Sequence, residues 1–252
     1  MSNKIAIVTG GSRGLGRNMA IAIAKKGIDV VITYNANKAA ADEVVQQIEA
    51  LGQKATAFQL DTSDTSKFQQ FATDLKAYLT KAYGQPKFDF LINNAGTALY
   101  APVTEVTEKQ TDDIFNIHFK GVLFLTQQLL PLQNDGGGIV NISSGLTRII
   151  NPGSAVYGAI KTAVETLTKY MAKELGPRKI RVNVVAPGAI ETDFGGGRVR
   201  DNKEINDHIA SLTALGRVGL PDDIGGVVAF LCTPEAGWIN AQRIEVSGGQ
   251  AI

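Results

Sequence analysis

Tyr157 and Lys161 stand four residues apart in a stretch of helical period, so their side chains project from one helix face. An ammonium beside a phenol favours the phenolate and draws the phenol below its ordinary value near about 10. Such a phenol can give a proton to a carbonyl oxygen or take one from an alcohol. Ser144 follows a short apolar run that reads as the end of a fifth strand. Its hydroxyl can hydrogen-bond a substrate oxygen as charge develops there; serines at such places also cap turns and helices. Serine-hydrolase chemistry fits poorly. No Gly-x-Ser-x-Gly elbow surrounds Ser144, and neither His118 nor His208 falls in a triad order.

A second group of residues suits a dinucleotide. Thr9-Gly10-Gly11-Ser12-Arg13-Gly14-Leu15-Gly16 lies between a first strand and a first helix. Glycines permit a tight turn and a close approach to a pyrophosphate, and the helix N-terminus presents free N–H groups to its charge. A binder of NAD usually ends the second strand with an acid that holds the ribose hydroxyls. Here that end reads Thr33-Tyr34-Asn35-Ala36-Asn37-Lys38, with no acid to repel a 2′-phosphate. Arg13 can add a charge-assisted bond to that phosphate, so NADP is expected rather than NAD. Ser12, Tyr34, Asn35, Asn37 and Lys38 are further candidates for that end. Asp61-Thr62 follows the third strand, where a carboxylate can take an adenine amino group or cap a helix. Asn93-Asn94-Ala95-Gly96 ends the fourth, where small residues let a ring or ribose lie against backbone; Asn and Gly also make ordinary turns.

These groups need a scaffold. Short β-branched runs at 5–9, 30–33, 55–60, 88–92, 138–142, 181–185 and 244–246 read as strands. Helical period marks 15–26, 38–51, 65–82, 108–132 and 154–175 between them. Several strands are apolar on both faces, as in a parallel sheet covered on two sides. The alternation predicts an α/β, doubly wound Rossmann fold forming one domain over 1–252. Within it, 189–213 is expected to form a substrate-binding loop region, with a mobile glycine-rich stretch at 194–198 and a polar helical piece at 201–211.

Composition narrows the classes. Of 252 residues 44% are apolar, enough for a sizeable core, and 25 basic against 24 acidic side chains leave a net charge of +1. That balance gives no charge-driven case for nucleic acid or an anionic membrane. One cysteine, Cys232, excludes an intrachain disulfide and CxxC metal sites, so no metal is expected. The first four residues carry no signal-peptide pattern, and no apolar run reaches the roughly 20 residues of a membrane span. A cytoplasmic protein is the default expectation.

The glycine loop, Asn-Asn-Ala-Gly, the Ser144-to-Tyr157 spacing, Tyr-x-x-x-Lys and Pro187-Gly188 occur in an order that resembles the short-chain dehydrogenase/reductase family. Leu215-Gly216-Arg217 and Gly248-Gly249 extend the resemblance over essentially the whole chain. It implies a seven-stranded parallel sheet with helices on both faces and a homotetramer. It implies Tyr157 as acid/base, Lys161 as ribose ligand and tuner of Tyr157, and Ser144 as orienter of the substrate oxygen. Pro187, Gly188, Ile190 and Thr192 would hold the nicotinamide. The family's fourth catalytic residue, an asparagine three positions before a glycine, is His118 here, counting back from Gly121. Two roles are open to His118: holding a relay water, or packing in the core. Leu99, Leu146, Ile149, Ile150 and Phe194, with Arg148 and Asn151 close by, are expected to line a largely apolar pocket. That suits a free ketone or aldehyde better than a sugar. A 3-oxoacyl-[acyl-carrier-protein] reductase is the alternative, weakened because 131–136 lacks a basic residue, though Arg178 is present. A non-catalytic dinucleotide-sensing protein is the alternative of another class.

Overall fold

In the first two strands of the chain, alternate side chains feed two different cores. From β1 (Ile5–Val8), Ala6 and Val8 enter one cluster while Ile5 and Ile7 enter the other. The same alternation separates Val30 and Ile32 from Val31 in β2 (Asp29–Tyr34). Period-two projection from a sheet with both faces covered produces this division, and it explains why these strands read as unbroken apolar runs. The computed structural model describes residues 4–252. The signal-peptide reading of the first three residues lies outside them.

The remaining strands are β3 (Ala55–Gln59), β4 (Phe88–Asn93), β5 (Gln133–Ile142), β6 (Arg181–Pro187) and β7 (Arg243–Val246). All pair in parallel, in the order β3-β2-β1-β4-β5-β6-β7. This is the expected single-domain Rossmann sheet. Its order reverses between β1 and β4, which opens the crevice where doubly wound sheets hold ligands. Because every strand runs the same way, Thr9, Asn94, Ser144 and Gly188 all emerge at one edge.

Helices α1 (Gly14–Ala24) and α2 (Lys38–Glu49) cover one face through Met19, Ile23, Val44 and Ile48. The other face is covered by α3 (Phe68–Tyr83) through Leu75 and Leu79.

The predicted helix at 108–132 is interrupted. It comprises α4 (Glu108–Phe115), a π turn (Asn116–Lys120), α5 (Gly121–Leu129) and a 3-10 turn (Leu130–Leu132). The Gly121 N–H reaches back five residues to the Asn116 carbonyl, and a Cβ on Gly121 would meet the Thr62 carbonyl oxygen at 2.5 Å. The π turn thus lies where the helix presses on the β3 loop. Strand β5 starts five residues before the predicted 138, because Gln133 already pairs with Phe88; the register then shifts across the turn at Gly136. After α6 (Ala155–Glu174) and β6, the stretch at 201–211 resolves into α7 (Arg198–Asp201) and α8 (Lys203–Ser211). Asn202 separates the two and caps α8 through the Ile205 N–H. The last long helix is α9 (Pro221–Leu231), whose Ile224 and Val228 complete the first cluster.

Candidate active site

The glycine loop is a backbone surface held from below. Thr9 Oγ1 accepts from the N–H groups of Asn94 and Ala95, both at 2.9 Å. The Asn94 amide donates to the carbonyls of Thr9 at 2.8 Å and Gly10 at 3.3 Å. Asn94 therefore shapes the loop from beneath. Gly10 and Gly14 have φ of +65° and +54°, which only glycine adopts without strain. A Cβ on Gly16 would collide with the Gly10 carbonyl and the Asn94 amide. Arg13, extended and exposed, precedes α1 without a capping side chain, and no acid stands in the first turn of that helix. Free N–H groups above bare glycine backbone suit a pyrophosphate. A dinucleotide fits this loop.

The other candidates for the phosphate end divide. Lys38 is held by Asp42, at 2.7 Å, so it is a paired surface cation. Asn37 Oδ1 caps α2 through the Ala40 N–H, and the Asn35 carbonyl accepts from Gln59. Tyr34 is buried in the core. Ser12 is half-buried beside Arg13, whose guanidinium is not among the ion pairs of the described residues. Asp61 uses one carboxylate oxygen on the N–H and hydroxyl of Ser63, so it builds the turn after β3; Thr62 beside it is buried. Thr192 faces the glycine loop, 3.7 Å from where a Gly14 Cβ would stand. Pro187 ends β6, Ala189 donates to the Gln250 side chain at 3.0 Å, and Ile190 bridges to Gly219.

The structure brings Ser144, Tyr157 and Lys161 together at the carboxyl edge. The Ser144 hydroxyl lies close enough to the Tyr157 phenol to act on it and accepts from the Leu146 N–H at 3.2 Å. Lys161 Nζ lies 5.8 Å from the Tyr157 ring centroid and donates to the Ile142 carbonyl at 2.7 Å. Burial governs the charges. It raises the Tyr157 phenol well above its usual value, against the opposing pull of Ser144, and lowers the Lys161 ammonium to about 7. The expectation that the ammonium draws the phenol down is corrected: burial of the phenolate dominates and raises it.

His118 is packed. Its ring stands edge-on to Tyr157, 5.3 Å between centroids, and presses on Gly96, where a Cβ would strike it. Burial, and then Lys161, push the imidazole well below its ordinary value, so it is neutral. Nε2 lies 2.7 Å from the Thr97 carbonyl and 3.3 Å from the Thr97 N–H; the shorter contact favours a proton on Nε2, which leaves Nδ1 as an acceptor. That Nδ1 is buried and has no partner.

Leu99 and Leu146 pack with Tyr157, Ile114 and Ile160. Phe194 lies 6.1 Å from the Tyr157 ring. Ile149 reaches back to Gly145, while Ile150 points to solvent at 87% exposure. Tyr100, which lies close enough to act on the Tyr157 phenol, was invisible to the sequence reading because its segment has no periodicity.

Arg148, expected near the pocket, belongs instead to an ion network behind the serine. Glu165 accepts from Ser143 at 2.7 Å, Thr147 at 2.8 Å and Arg243 at 2.8 Å. Arg243 continues to Glu245 at 2.9 Å, and Glu245 receives two bonds from Arg148, at 3.0 and 2.5 Å. Arg148 then reaches the carbonyls of Gln250 at 2.6 Å and Ala251 at 2.9 Å. Arg148 first, with Ser247 and Arg243, holds the Glu245 carboxyl down to about 2. The network flanks Ser144 on both sides.

A doubly wound parallel sheet, a bare glycine cradle and a hydroxyl–phenol–ammonium group at one edge define a Rossmann-type oxidoreductase. Over residues 10–251 the chain matches the protein family described as Enoyl-(Acyl carrier protein) reductase. It is 35% identical over 262 residues to the tetrahydroxynaphthalene reductase PfmaG of Pestalotiopsis fici, covering 98% of this chain and 91% of that one. Among solved structures, the promiscuous reductase LugOII, which catalyses keto-reduction at C1 during lugdunomycin biosynthesis, superposes with a TM-score of 0.93 at 39% identity, over 98% of this chain and 97% of that one. The landomycin C-6 ketoreductase LanV, solved with bound NADP and rabelomycin, gives 0.90 at 34% identity, over 99% and 97%. The chain belongs to the short-chain dehydrogenase/reductase family.

Proposed function

We propose that the protein reduces a ketone or aldehyde to an alcohol with NADPH. The carrying observation is the convergence of Ser144, Tyr157 and Lys161 beside the glycine cradle. The NADP found in LanV supports the cofactor assignment, as do the open Arg13 of the glycine loop and the end of β2, which lacks the acid of an NAD binder. Gly10 to Gly16 and the α1 N-terminus would hold the pyrophosphate, Arg13 and Ser12 the 2′-phosphate, and Pro187 to Thr192 the nicotinamide end. When bound, the nicotinamide supplies the hydride that goes to the carbonyl carbon.

The chain's residues manage the proton. Ser144 donates to the substrate oxygen as negative charge builds on it. Tyr157, kept protonated by burial, gives its proton to that oxygen, and Lys161 limits the cost of the phenolate left behind. His118, neutral with Nδ1 free to accept, holds the Tyr157 ring edge-on and offers a lone pair to a relay water. The site works on a small molecule within one protomer of a homotetramer, whose size light scattering would check.

A carrier-protein substrate is less favoured. Arg178, the basic residue left for docking, is tied to Asp135 and to the carbonyls of Leu130 and Gln133. A panel of free ketones, aldehydes and one carrier-linked 3-oxoacyl chain, read by NADPH absorbance, tests the proposal. Turnover of free carbonyls is expected. NADPH binding without oxidation by any substrate would instead favour a dinucleotide sensor.

A further inference from the structure

A row of rings leads outward from the Tyr157 phenol. Phe194 stands next, tilted 56° to Tyr157. Gly195 follows it in the chain and lies against Tyr100, so closely that a Cβ would come within 2.9 Å of the ring. Arg198 closes the row, its guanidinium carbon 4.8 Å from the Tyr100 centroid. Phe194 and Tyr100 are 44% and 43% exposed, so the row is a wall open to a ligand. Its shape is set locally. Gly195, Gly196 and Gly197 take φ of +63°, +75° and +76° in succession, a left-handed run that folds Arg198 back over Tyr100.

Arg198 differs from its cationic neighbours. Arg200 is held by Asp193 and Asp201, Lys203 by Asp207, Arg217 by Asp223 and Arg148 by Glu245. Among the described residues, the one charged-group contact of Arg198 is the face of a ring. A guanidinium stacked on a ring keeps its N–H edge available for a forked bond to an anionic oxygen. The wall therefore offers stacking surface along its length, a proton donor at its inner end and an unsatisfied cation at its outer end.

We infer that Arg198 and Tyr100 form a recognition site for an anionic oxygen, a carboxylate or phenolate, on a flat aromatic substrate whose carbonyl reaches Tyr157. This deepens the carbonyl-reductase reading and rests on it for the inner end alone. Phe194 and Tyr100 hold the aromatic body, and Arg198 selects for the charge.

The test separates binding from turnover. Binding of 2-naphthoate and of its methyl ester is measured by ligand-observed NMR, with and without NADP, on the wild type, Arg198→Met, Arg198→Lys and Tyr100→Leu. The acid is expected to bind wild type about three- to fivefold more tightly than the ester, a ratio suited to a solvent-accessible ion pair. The ratio should fall to one in Arg198→Met, stay above one in Arg198→Lys, and shrink as salt is raised. Tyr100→Leu should weaken both ligands. Circular dichroism confirms that each variant is folded. The same ratio in wild type and Arg198→Met, or no binding of the acid to wild type, overturns the inference. In parallel, a carboxy-tetralone and its methyl ester are offered as substrates with NADPH. If neither is reduced while the binding ratio depends on Arg198, the carbonyl-reductase reading falls and the anion site stands. If both are reduced with equal KM, the reading stands and the anion site falls.

Discussion

The two ends of the crevice are built in opposite ways. At β1 and β2 the surface is backbone: glycines, helix N–H groups and one open arginine, held from below by Thr9 and Asn94. At β5 to β7 the serine is enclosed by side chains, with Glu165, Arg243, Glu245 and Arg148 linked in series. A backbone cradle tolerates no added carbon but needs no partner residues. A side-chain lattice tolerates changes of shape but fails when one charge is removed. The first arrangement suits a ligand whose phosphates bring the missing charge; the second suits a hydroxyl that must stand still.

Substitutions can break this contrast. Tyr157→Phe removes the proposed proton donor and should lower kcat about 10²–10⁴-fold with NADPH affinity nearly intact, read by steady-state kinetics and fluorescence titration. Normal turnover would move the chemistry elsewhere. Gly16→Ala should weaken NADPH by about ten- to a hundredfold, since the methyl must displace the Gly10 carbonyl at about 1–3 kcal/mol; unchanged affinity would show that the cradle yields. Arg13→Met should weaken NADPH about tenfold more than NADH, the worth of one exposed charge-assisted bond. Equal losses would remove its phosphate role.

The remaining two predictions concern pH. Lys161, lowered to about 7, loses its charge as pH rises through neutrality, and the phenol then loses its neighbouring cation. In the free enzyme kcat/KM for reduction should therefore fall above about pH 7; a flat profile would show that the ammonium is dispensable. At the opposite extreme, Glu245 is held at about 2 against an ordinary 4.5. Its stabilisation is present in full above 4.5 and is lost as pH falls through about 2. Glu245→Gln should cost about 1–3 kcal/mol at neutral pH, less than a fully buried pair because its partners are partly solvated. It should also flatten the acid limb of the Tm profile. An unaltered limb would mean that the lattice adds no acid-sensitive stability.

What the sequence disclosed follows the same division. The cradle and the Tyr157–Lys161 pair are local, written in spacings of one to four residues, and strand alternation carried the sheet. Apart from Arg243 and Glu245, two positions apart, the lattice joins residues 18 to 103 positions apart, so no spacing announces it, and Arg148 accordingly read as a neighbour of the pocket. Lys38 read as open because its pairing with Asp42 depends on the rotamers of two exposed side chains. The break at Asn116–Lys120 was hidden because the backbone it packs beside, at Thr62, arrives from another βα unit.

That break makes chain length forgiving at one point and side-chain placement strict. A π turn holds one residue more than the α-helical turn it replaces, because its N–H reaches five residues back instead of four. The extra residue is taken up inside Asn116–Lys120, so the helical segments on either side keep their faces across it. Deleting one position there would restore a regular helix and leave Ile114 in the Tyr157 cluster, at the expense of the swollen turn that carries the buried imidazole against Gly96. The turn therefore serves the placement of one ring and not the course of the helix.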